Sequence, residues 1–182
     1  PLRPLNANDT QFEGLVRTQD GPPPNVDFDQ WITTDYLETM NIEVVEGRGF
    51  TSSDDATAVP VALVNETLAK RYYPGESPIG RRLGHGFGGT PLMEIVGVVA
   101  DVKQAGLDEP AGTELYFHYP QASVMGGGPS SMNFVVSTSG DPSSLAAAAR
   151  RNVWDLDSAL PVAGLQPMTD VLGDAMARAR FL

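Results

Sequence analysis

Residues 60–104 read PVALVNETLAKRYYPGESPIGRRLGHGFGGTPLMEIVGVVADVKQ, and this stretch decides the fold. Its first apolar residues predict a short strand. Asn65 comes next and is a good N-cap for a helix over 66–73, because its side-chain oxygen can accept a free backbone N–H. Pro74 has no N–H to donate and ends that helix. Residues 93–102 form a nearly continuous apolar run, which is typical of a central strand buried on both faces.

Strands and helices alternate irregularly along the rest of the chain. Apolar or alternating runs predict strands at 11–18, 26–33, 42–45, 114–119, 132–138 and 160–165, and capped or striped segments predict helices at 34–40, 142–156 and 169–182. In the second of these strands, Val26, Phe28 and Ile32 point to one face and predict a half-buried strand. Hairpins mixed with crossovers favour an α+β fold over a doubly wound sheet.

Glycine marks two places where the backbone is unusual. Gly97 interrupts the β-branched run of the central strand, and we expect a bulky neighbour, such as an aromatic ring, across that spot. Residues 121–131, QASVMGGGPSS, combine a glycine run with small polar residues that have little to bury. We therefore expect a mobile linker there, despite the apolar Val124 and Met125.

The composition is that of a globular chain rather than a disordered one. Its 182 residues are 41% hydrophobic and 19% charged, and no apolar run approaches the roughly 20 residues that span a bilayer. No signal peptide is present, and the chain begins with Pro1, so we expect it to be part of a longer protein. The absence of cysteine excludes disulfides and thiolate metal sites. The net charge of −11 argues against nucleic acid or an anionic membrane surface as a partner.

Residues 84–89, GHGFGG, match the dinucleotide-binding pattern G-x-G-x-x-G. A phosphate site of that kind needs a strand before the glycines and a helix directly after them, so that the helix N-terminus meets the pyrophosphate. Here Thr90 and Pro91 follow, and then a strand, which is the order of elements in a hairpin. We therefore predict a hairpin loop and no cofactor.

Acidic side chains and histidines are the other candidates for chemistry. They are Asp27 and Asp29 with nearby Asp35, Asp54 with Asp55, Asp108 with Glu109, and the histidines His85 and His118. Carboxylates two apart on a strand can share a hard cation, but no acidic loop with ligand spacing follows, so a solvated sheet face is favoured. The adjacent carboxylates at 54–55 and 108–109 lie in predicted loops, so we expect them to stabilise turns. Without a G-x-S-x-G or HExxH motif the histidines are expected to be structural or surface residues, and we predict no catalytic, cofactor or metal site.

Basic and aromatic side chains offer two further candidate surfaces. The basic residues at 70–71 and 81–82 form a small patch, which we expect to balance neighbouring carboxylates; the alternative is an anionic headgroup or partner. The aromatic residues that could line a pocket are Trp31, Tyr72, Tyr73, Phe87 and Trp154. They are scattered along the chain, so packing in the core or at its rim is their expected role.

Three segments together carry a family resemblance. They are TDYLETMNIEVVEGRGFTSSD at 34–54, VALVNETLAKRYYPGESPIGRRL at 61–83 and EIVGVVADVKQAGLDEP at 94–110. Each is short and structural, but in order and spacing they are similar to the extracytoplasmic domain of MacB/FtsX-type ABC transporter permeases. The resemblance runs from residue 26 to residue 182.

The resemblance implies an α+β architecture of two lobes. A porter-like α/β lobe would be built from both chain ends, residues 11–44 and 131–182, with a β-rich lobe, residues 45–128, inserted between them. Residues 1–10 are expected to form a flexible arm. In this family the porter-like lobe begins directly after a transmembrane helix, so we expect its opening strand and helix to be missing here.

The resemblance also implies a non-enzymatic function. Domains of this family lie on the extracytoplasmic (periplasmic) face of a bacterial inner membrane and pair as a homodimer in the full-length transporter. They move when a cytoplasmic ABC ATPase domain or subunit hydrolyses ATP, and their work is substrate export or envelope signalling. Their partners are their own transmembrane helices, that ATPase and another envelope protein. No cofactor is implied, and the fragment itself is expected to be soluble.

Two other classes of function stay open from the residues alone. The first is a small-ligand-binding module that uses the cleft between the two lobes, since ligands often bind at such interfaces. The second is an enzyme, most simply a hydrolase, which would need an assembled nucleophile and base. The sequence contains neither as a recognisable motif.

The final predicted helix, residues 169–182, carries one continuous apolar stripe. Val171, Leu172 and Met176 are expected to dock it against the porter-like sheet. No glycine or proline ends the helix after Arg180, which favours a helix that continues into a transmembrane span. We interpret it as a candidate rod that links outside motion to the membrane; the alternative is an ordinary C-terminal helix of a complete soluble domain.

Overall fold

A computed structural model describes residues 8–15, 25–85, 92–104, 106 and 108–179 of the chain. Its strands are β1 (Asn8–Phe12), β2 (Asn25–Val26), β3 (Phe28–Ile32), β4 (Val44–Gly47), β5 (Val61–Asn65), β6 (Arg82–His85), β7 (Met93–Val99) and β8 (Glu114–His118). Its helices are α1 (Tyr36–Thr39), α2 (Glu66–Tyr72), α3 (Ala146–Leu156) and α4 (Met168–Ala179), with 3-10 turns at Tyr119–Gln121 and Pro142–Leu145. The helix predicted after Asn65 and the predicted final helix are both present.

The described residues separate into two compact units. The first, which we call the sheet unit, contains the described residues between 8 and 135 except Gly106 and Asp108. The second, the helical unit, contains those two residues and residues 136–179. The strands all lie in the sheet unit, whereas α3 and α4 lie in the helical unit.

The boundaries of the predicted lobes stay a prediction. β3, from the predicted porter-like segment 11–44, pairs in parallel with β8, from the predicted inserted segment 45–128. These two strands therefore lie side by side in one sheet. The predicted flexible arm 1–10 overlaps β1, which begins at Asn8, and residues 1–7 lie outside the described residues.

One mixed sheet organises the sheet unit. Its strand order is β2-β1-β6-β7-β5-β8-β3, and β4 also pairs with β7. β5 runs parallel to β7, and β3 runs parallel to β8, whereas the other pairs are antiparallel. Parallel crossovers and hairpins thus occur in the same sheet, with helices beside it, which confirms the α+β class.

Apolar side chains pack into two buried clusters around the central strands. One cluster includes Leu68 of α2 with Val64 and Leu115, and the other includes Leu37 of α1 with Leu63 and Tyr116. Neighbouring residues of β5 enter different clusters because successive side chains point to opposite faces of a sheet. Every residue of β5 and β8 is therefore buried, and β7 is buried at all but one position. The predicted doubly buried central strand is confirmed.

The half-buried strand predicted at 26–33 is also confirmed. Val26, Phe28 and Ile32 are buried, whereas Asp27 and Trp31 are partly exposed. β3 lies at one end of the strand order and pairs with β8. Its alternation places one set of side chains in the core and leaves the other set at the rim.

The bulky neighbours predicted at Gly97 are the Arg48 backbone and the Leu63 side chain, and neither is an aromatic ring. A Cβ atom added at Gly97 would press into the Arg48 carbonyl and lie 2.9 Å from Leu63 Cδ2. β4 crosses here, and its Gly47 pairs with Gly97. Because both paired residues are glycines, the backbones of β4 and β7 can approach each other more closely than side chains would allow.

The linker predicted at 121–131 is wrong for its first half. Gln121, Ala122 and Met125 are buried, and Met125 belongs to the core cluster around α2. Gln121 replaces a strand partner, since its Oε1 accepts from Val61 N at 3.0 Å and its Nε2 donates to Val59 O at 3.0 Å. These bonds join residues about sixty apart in sequence, which is why composition alone suggested a free segment.

The strands predicted at 132–138 and 160–165 are absent, and neither segment is paired in the described chain. A strand needs a neighbour for its backbone N–H and C=O groups, and strand propensity alone does not supply one. α4 forms as predicted, but Leu172 and Met176 are 48% and 42% exposed. The sheet and α4 belong to different units, so the docking of Val171, Leu172 and Met176 against a sheet stays a prediction.

Candidate functional site

Of the carboxylates singled out on β3 and beside it, Asp27 has a structural role, whereas the Asp35 side chain forms no capping bond. Asp27 Oδ2 accepts from the backbone N of Thr113 at 2.8 Å and from its hydroxyl at 2.9 Å, which clamps the start of β8 to β3. Asp35 occupies the N-cap position of α1 and is exposed. Among the residues that the structure describes, no group of three or more His, Asp or Glu could hold a metal ion.

The adjacent carboxylates of Asp54 and Asp55 have different partners: the predicted turn role is confirmed for Asp55, whereas Asp54 is buried and ion-paired. Asp54 forms a two-pronged ion pair with Arg48, at 2.7 and 2.8 Å, and also accepts from Thr51 N at 2.8 Å. Burial raises the pKa of the Asp54 carboxyl, but the bonds from Arg48 and Thr51 outweigh burial and hold that pKa below its usual value. Asp55 accepts from Thr57 N and Oγ1, and these bonds lower its pKa.

His118 is a buried structural residue, as predicted. Its Nδ1 lies 2.7 Å from the Asp54 carbonyl oxygen, and its Nε2 lies 3.2 Å from Thr34 Oγ1. The imidazole also stacks on Phe50, with ring centroids 4.6 Å apart. Both ring nitrogens are thus used to attach the 48–58 loop and the start of α1 to the end of β8. The side chain of His85 lies outside the described part of the chain.

The glycine segment 84–89 lies in a hairpin. β6 and β7 are antiparallel and adjacent, with Leu83 opposite Met93. Residues 86–91 lie outside the described residues, and the next described element is a strand rather than a helix. The hairpin prediction is confirmed, and the strand–glycine–helix order of a dinucleotide site is not met.

Asn65 joins three elements, of which the sequence indicated one. Its Oδ1 accepts from Leu68 N at 3.0 Å, the predicted N-cap bond, and from Glu114 N at 2.8 Å. Its Nδ2 donates to Asp101 Oδ1 at 2.7 Å and to Gly112 O at 2.8 Å. All the hydrogen-bonding capacity of this fully buried amide is therefore used to connect α2, the end of β7 and the start of β8.

Glu114 is a buried carboxylate that sequence reasoning missed. Its exposed fraction is 0%, and its Oε1 accepts from Gln104 Nε2 at 2.8 Å and from Gln30 Nε2. In the sequence Glu114 is simply one polar position in the alternating strand predicted at 114–119. No local pattern distinguishes a charged strand residue that faces solvent from one that meets two amides from distant segments.

The predicted pairing of basic residues with neighbouring carboxylates is confirmed. Lys70 pairs with Glu66 at 3.1 Å, Arg81 with Glu76 at 3.0 Å and Arg82 with Glu13 at 3.5 Å. Arg71 lies over the ring of Tyr72, 5.5 Å from its centroid. The patch is thus largely neutralised locally.

The aromatic residues pack mainly in or around the core, as predicted. Trp31 packs against Phe117 with ring centroids 4.9 Å apart, and Tyr72 stacks on Phe12 at 4.2 Å. Trp154 is 45% exposed and contacts Arg150. Phe87 lies outside the described residues.

A cavity of about 330 Å³ opens within the sheet unit, between the end of β1 and the end of α2. Its lining residues are Glu13, Gly14, Leu15, Tyr72, Tyr73, Pro74, Glu76 and Arg81. Tyr73 is 8% exposed, and among the described residues its buried hydroxyl finds no hydrogen-bond partner. Burial raises the pKa of this hydroxyl to about 12, so it stays protonated and can act as a donor.

A family model described as the MacB-like periplasmic core domain matches residues 7–152 of the chain. The matched range includes the whole described sheet unit and most of α3. Within the described ranges, every helix is too short or too polar to cross a bilayer.

One protein is similar to the chain in sequence, and one solved structure is similar to it in fold. The chain is 27% identical over 120 residues to the pyoverdine export ATP-binding/permease protein PvdT of Pseudomonas aeruginosa. This alignment covers 64% of the chain and 18% of PvdT. The chain is similar in fold to the periplasmic region of MacB from Actinobacillus actinomycetemcomitans, with a TM-score of 0.51 and 18% identity. That similarity covers 82% of this chain and 63% of the other. The chain thus spans less than two thirds of each relative.

Proposed function

Because the chain belongs to the family of MacB-like periplasmic core domains, we propose that it is the extracytoplasmic domain of an ABC transporter permease and transmits motion mechanically. The family match over residues 7–152 carries this proposal. The domain lies on the periplasmic side of the inner membrane. In the proposed mechanism, ATP hydrolysis by a cytoplasmic ABC ATPase moves the transmembrane helices, and the domain passes that motion to a substrate or to another envelope protein. A homodimer of the full-length permease is part of the proposal.

The hydrogen bonding of the sheet unit supports mechanical rather than chemical work. Asp27, Asp54 and His118 are engaged in bonds that join loops to strands. Every donor and acceptor of the Asn65 side-chain amide is used in hydrogen bonds that join three elements. A nucleophile or a base must be able to reach a substrate, whereas these groups are committed to holding the sheet unit together. A body that transmits force needs such stiffness.

The helical unit supplies the element that would carry motion towards the membrane. α4 is a helix of 12 residues, with Asp170 in its first turn and Gly173 in its interior. Aspartate near the start of a helix complements the helix dipole, which favours the helical conformation of α4. The proposed role of α4 is to connect the domain to a transmembrane helix.

A glycine insertion in the full-length permease tests the mechanical proposal. A short run of glycines placed after Arg180 would break the helical connection, because glycine is a poor helix former. We expect ATP hydrolysis to continue while transport or signalling is lost, with the thermal unfolding of the domain unchanged. The matched control places the same glycines after Gly140, in an exposed bend of the helical unit. Normal coupling after the Arg180 insertion would show that α4 is not a rod.

The cavity beside Tyr73 favours a second candidate function, a small-ligand-binding module. The cavity lies between a segment of the predicted porter-like lobe, Glu13 to Leu15, and a segment of the predicted inserted lobe, Tyr72 to Arg81. A ligand that binds the folded state raises its unfolding temperature by mass action. A thermal-shift screen of small molecules therefore tests this candidate. A screen without any saturable shift would leave the mechanical role as the sole proposal.

A further inference from the structure

The cavity beside Tyr73 has a rigid aromatic wall. Phe12 stacks on Tyr72 with ring centroids 4.2 Å apart and meets Tyr73 edge to face at 6.1 Å. Tyr72 is also tied to the start of β2, since its hydroxyl donates to Asn25 O at 2.6 Å. These contacts hold the end of α2 against β1. The volume of about 330 Å³ suits a small organic molecule, which needs roughly 300 Å³ or more.

Around the cavity, the hydrogen-bonding groups that are still available to a ligand are donors rather than acceptors. The two acidic side chains already have partners: Glu13 Oε2 accepts from Arg82 N at 3.2 Å, and Glu76 Oε2 accepts from Arg81 Nη2 at 3.0 Å. The Tyr73 hydroxyl is unpartnered in the described part of the chain. A guanidinium has five N–H donors, and Arg81 directs one of them to Glu76. The groups left to bind a ligand therefore call for an acceptor.

The pair between Arg81 and Glu76 can be exchanged for a ligand. The two side chains are 47% and 67% exposed, and exposed ion pairs of this kind contribute little to stability. A carboxylate on a ligand can therefore replace Glu76 at the guanidinium without a large cost. Tyr73 also lines the cavity, and its buried hydroxyl, which has no partner among the described residues, is the second donor that a ligand could use.

We propose that this cavity binds a small organic anion, whose carboxylate is held by Arg81 and the Tyr73 hydroxyl and whose apolar body packs on Leu15 and Pro74. A guanidinium and a phenol hydroxyl together suit a carboxylate, because charge-assisted hydrogen bonds are about twice as strong as neutral ones. The high pKa of Tyr73, about 12, keeps the hydroxyl in its donor form at any physiological pH. The site is independent of the proposed mechanical role of α4.

Phenylacetate and its neutral amide, phenylacetamide, are matched probes for this site. Titration of the ¹⁵N-labelled 182-residue chain should give saturable shifts at the backbone amides of Leu15, Tyr73 and Arg81 with phenylacetate. Phenylacetamide keeps the ring but lacks the charge, and we expect it to bind at least about tenfold more weakly. Equal binding of both probes, or no saturable shift up to the solubility limit, would overturn the proposal.

Three single substitutions separate the roles of the polar groups. Arg81→Gln should weaken phenylacetate binding about tenfold or more, and Tyr73→Phe should weaken it by a smaller factor, about threefold. Glu76→Gln should strengthen binding, because it removes the competing carboxylate. Tyr73→Phe deletes an unpartnered buried hydroxyl and is expected to fold normally. Weaker or unchanged binding to the Glu76→Gln variant would contradict the exchange mechanism.

Arg150→Gln is the control for a general loss of positive charge. Arg150 lies in the helical unit, where it contacts Trp154, and is not part of the cavity lining. We expect phenylacetate to bind this variant as it binds the parent chain. If Arg150→Gln weakens binding as much as Arg81→Gln does, the anion is held by net charge rather than by the cavity, and the proposal fails.

Discussion

β5 in the sheet unit and α3 in the helical unit are both rich in apolar residues, but they differ in what surrounds them. Every residue of β5 is buried between β7 and β8 and beneath α2, whereas α3 has no buried residue and its Leu156 is 87% exposed. Both elements have the secondary structure that their sequences predict. The comparison teaches that an apolar pattern can predict the secondary structure of an element correctly and still leave the burial of its side chains undecided.

Truncating a leucine on a helix in each unit should show the largest difference between them. Leu68 of α2 is fully buried, and Leu68→Ala should lower the free energy of unfolding by about 3–4 kcal/mol because it leaves a cavity. Leu172 of α4 is 48% exposed, and Leu172→Ala should cost less than about 0.5 kcal/mol. Urea denaturation of the two variants measures both changes. Equal losses would mean that the apolar face of α4 is covered in solution.

Adding side chains to a glycine in each unit tests the same comparison from the opposite direction. A side chain at Gly97 meets the Arg48 backbone, so Gly97→Val should destabilise by about 2–3 kcal/mol through overpacking. Gly173 in α4 has no atom within 4 Å of an added Cβ, and Gly173→Ala should leave stability unchanged or raise it by up to about 1 kcal/mol. Denaturation midpoints decide the outcome. An unchanged midpoint for Gly97→Val would show that β4 does not pack tightly on β7.

The smallest expected effect is a loss of stability of the sheet unit at low pH. The pKa of Asp54 is lowered in the folded state, so the stability from its pair with Arg48 is fully present above the usual aspartate value of 3.8 and is lost as pH falls through the lower folded value. We expect a loss of about 1 kcal/mol on the acid side. Asp54→Asn should remove that loss, whereas Asp170→Asn in α4 should keep it. Identical acid titrations of stability for Asp54→Asn and the parent would contradict this assignment.

Local signals explain which predictions were confirmed. The Asn65 cap reaches Leu68, three residues ahead, and Pro74 ends α2 through its own missing N–H. The hairpin between β6 and β7 was likewise predictable, because the order of glycines, Thr90, Pro91 and a strand lies in consecutive residues. Signals of this kind act over a few residues and can be identified before any tertiary contact is known.

The predictions that were wrong concern segments whose structure depends on residues far away in the sequence. The glycines and small polar residues of 121–131 predict a linker, whereas the partners of Gln121, Val59 and Val61, lie about sixty residues earlier in the chain and leave no local signal. The segments 132–138 and 160–165 have strand-like sequences, but the described chain provides no strand that pairs with them. In both cases the deciding factor was a backbone partner, which composition and periodicity do not specify.

The sequence by itself determined the α+β class, the capped helix after Asn65, the hairpin at the glycine segment and the family resemblance, because each depends on neighbouring residues or on the order of short motifs. Only the tertiary structure decided that Glu114 is buried, that Gly97 faces a backbone and that a cavity forms beside Tyr73. These features arise where distant segments meet. A side chain's partners there depend on the packing of the sheet and not on the residues next to it in the chain.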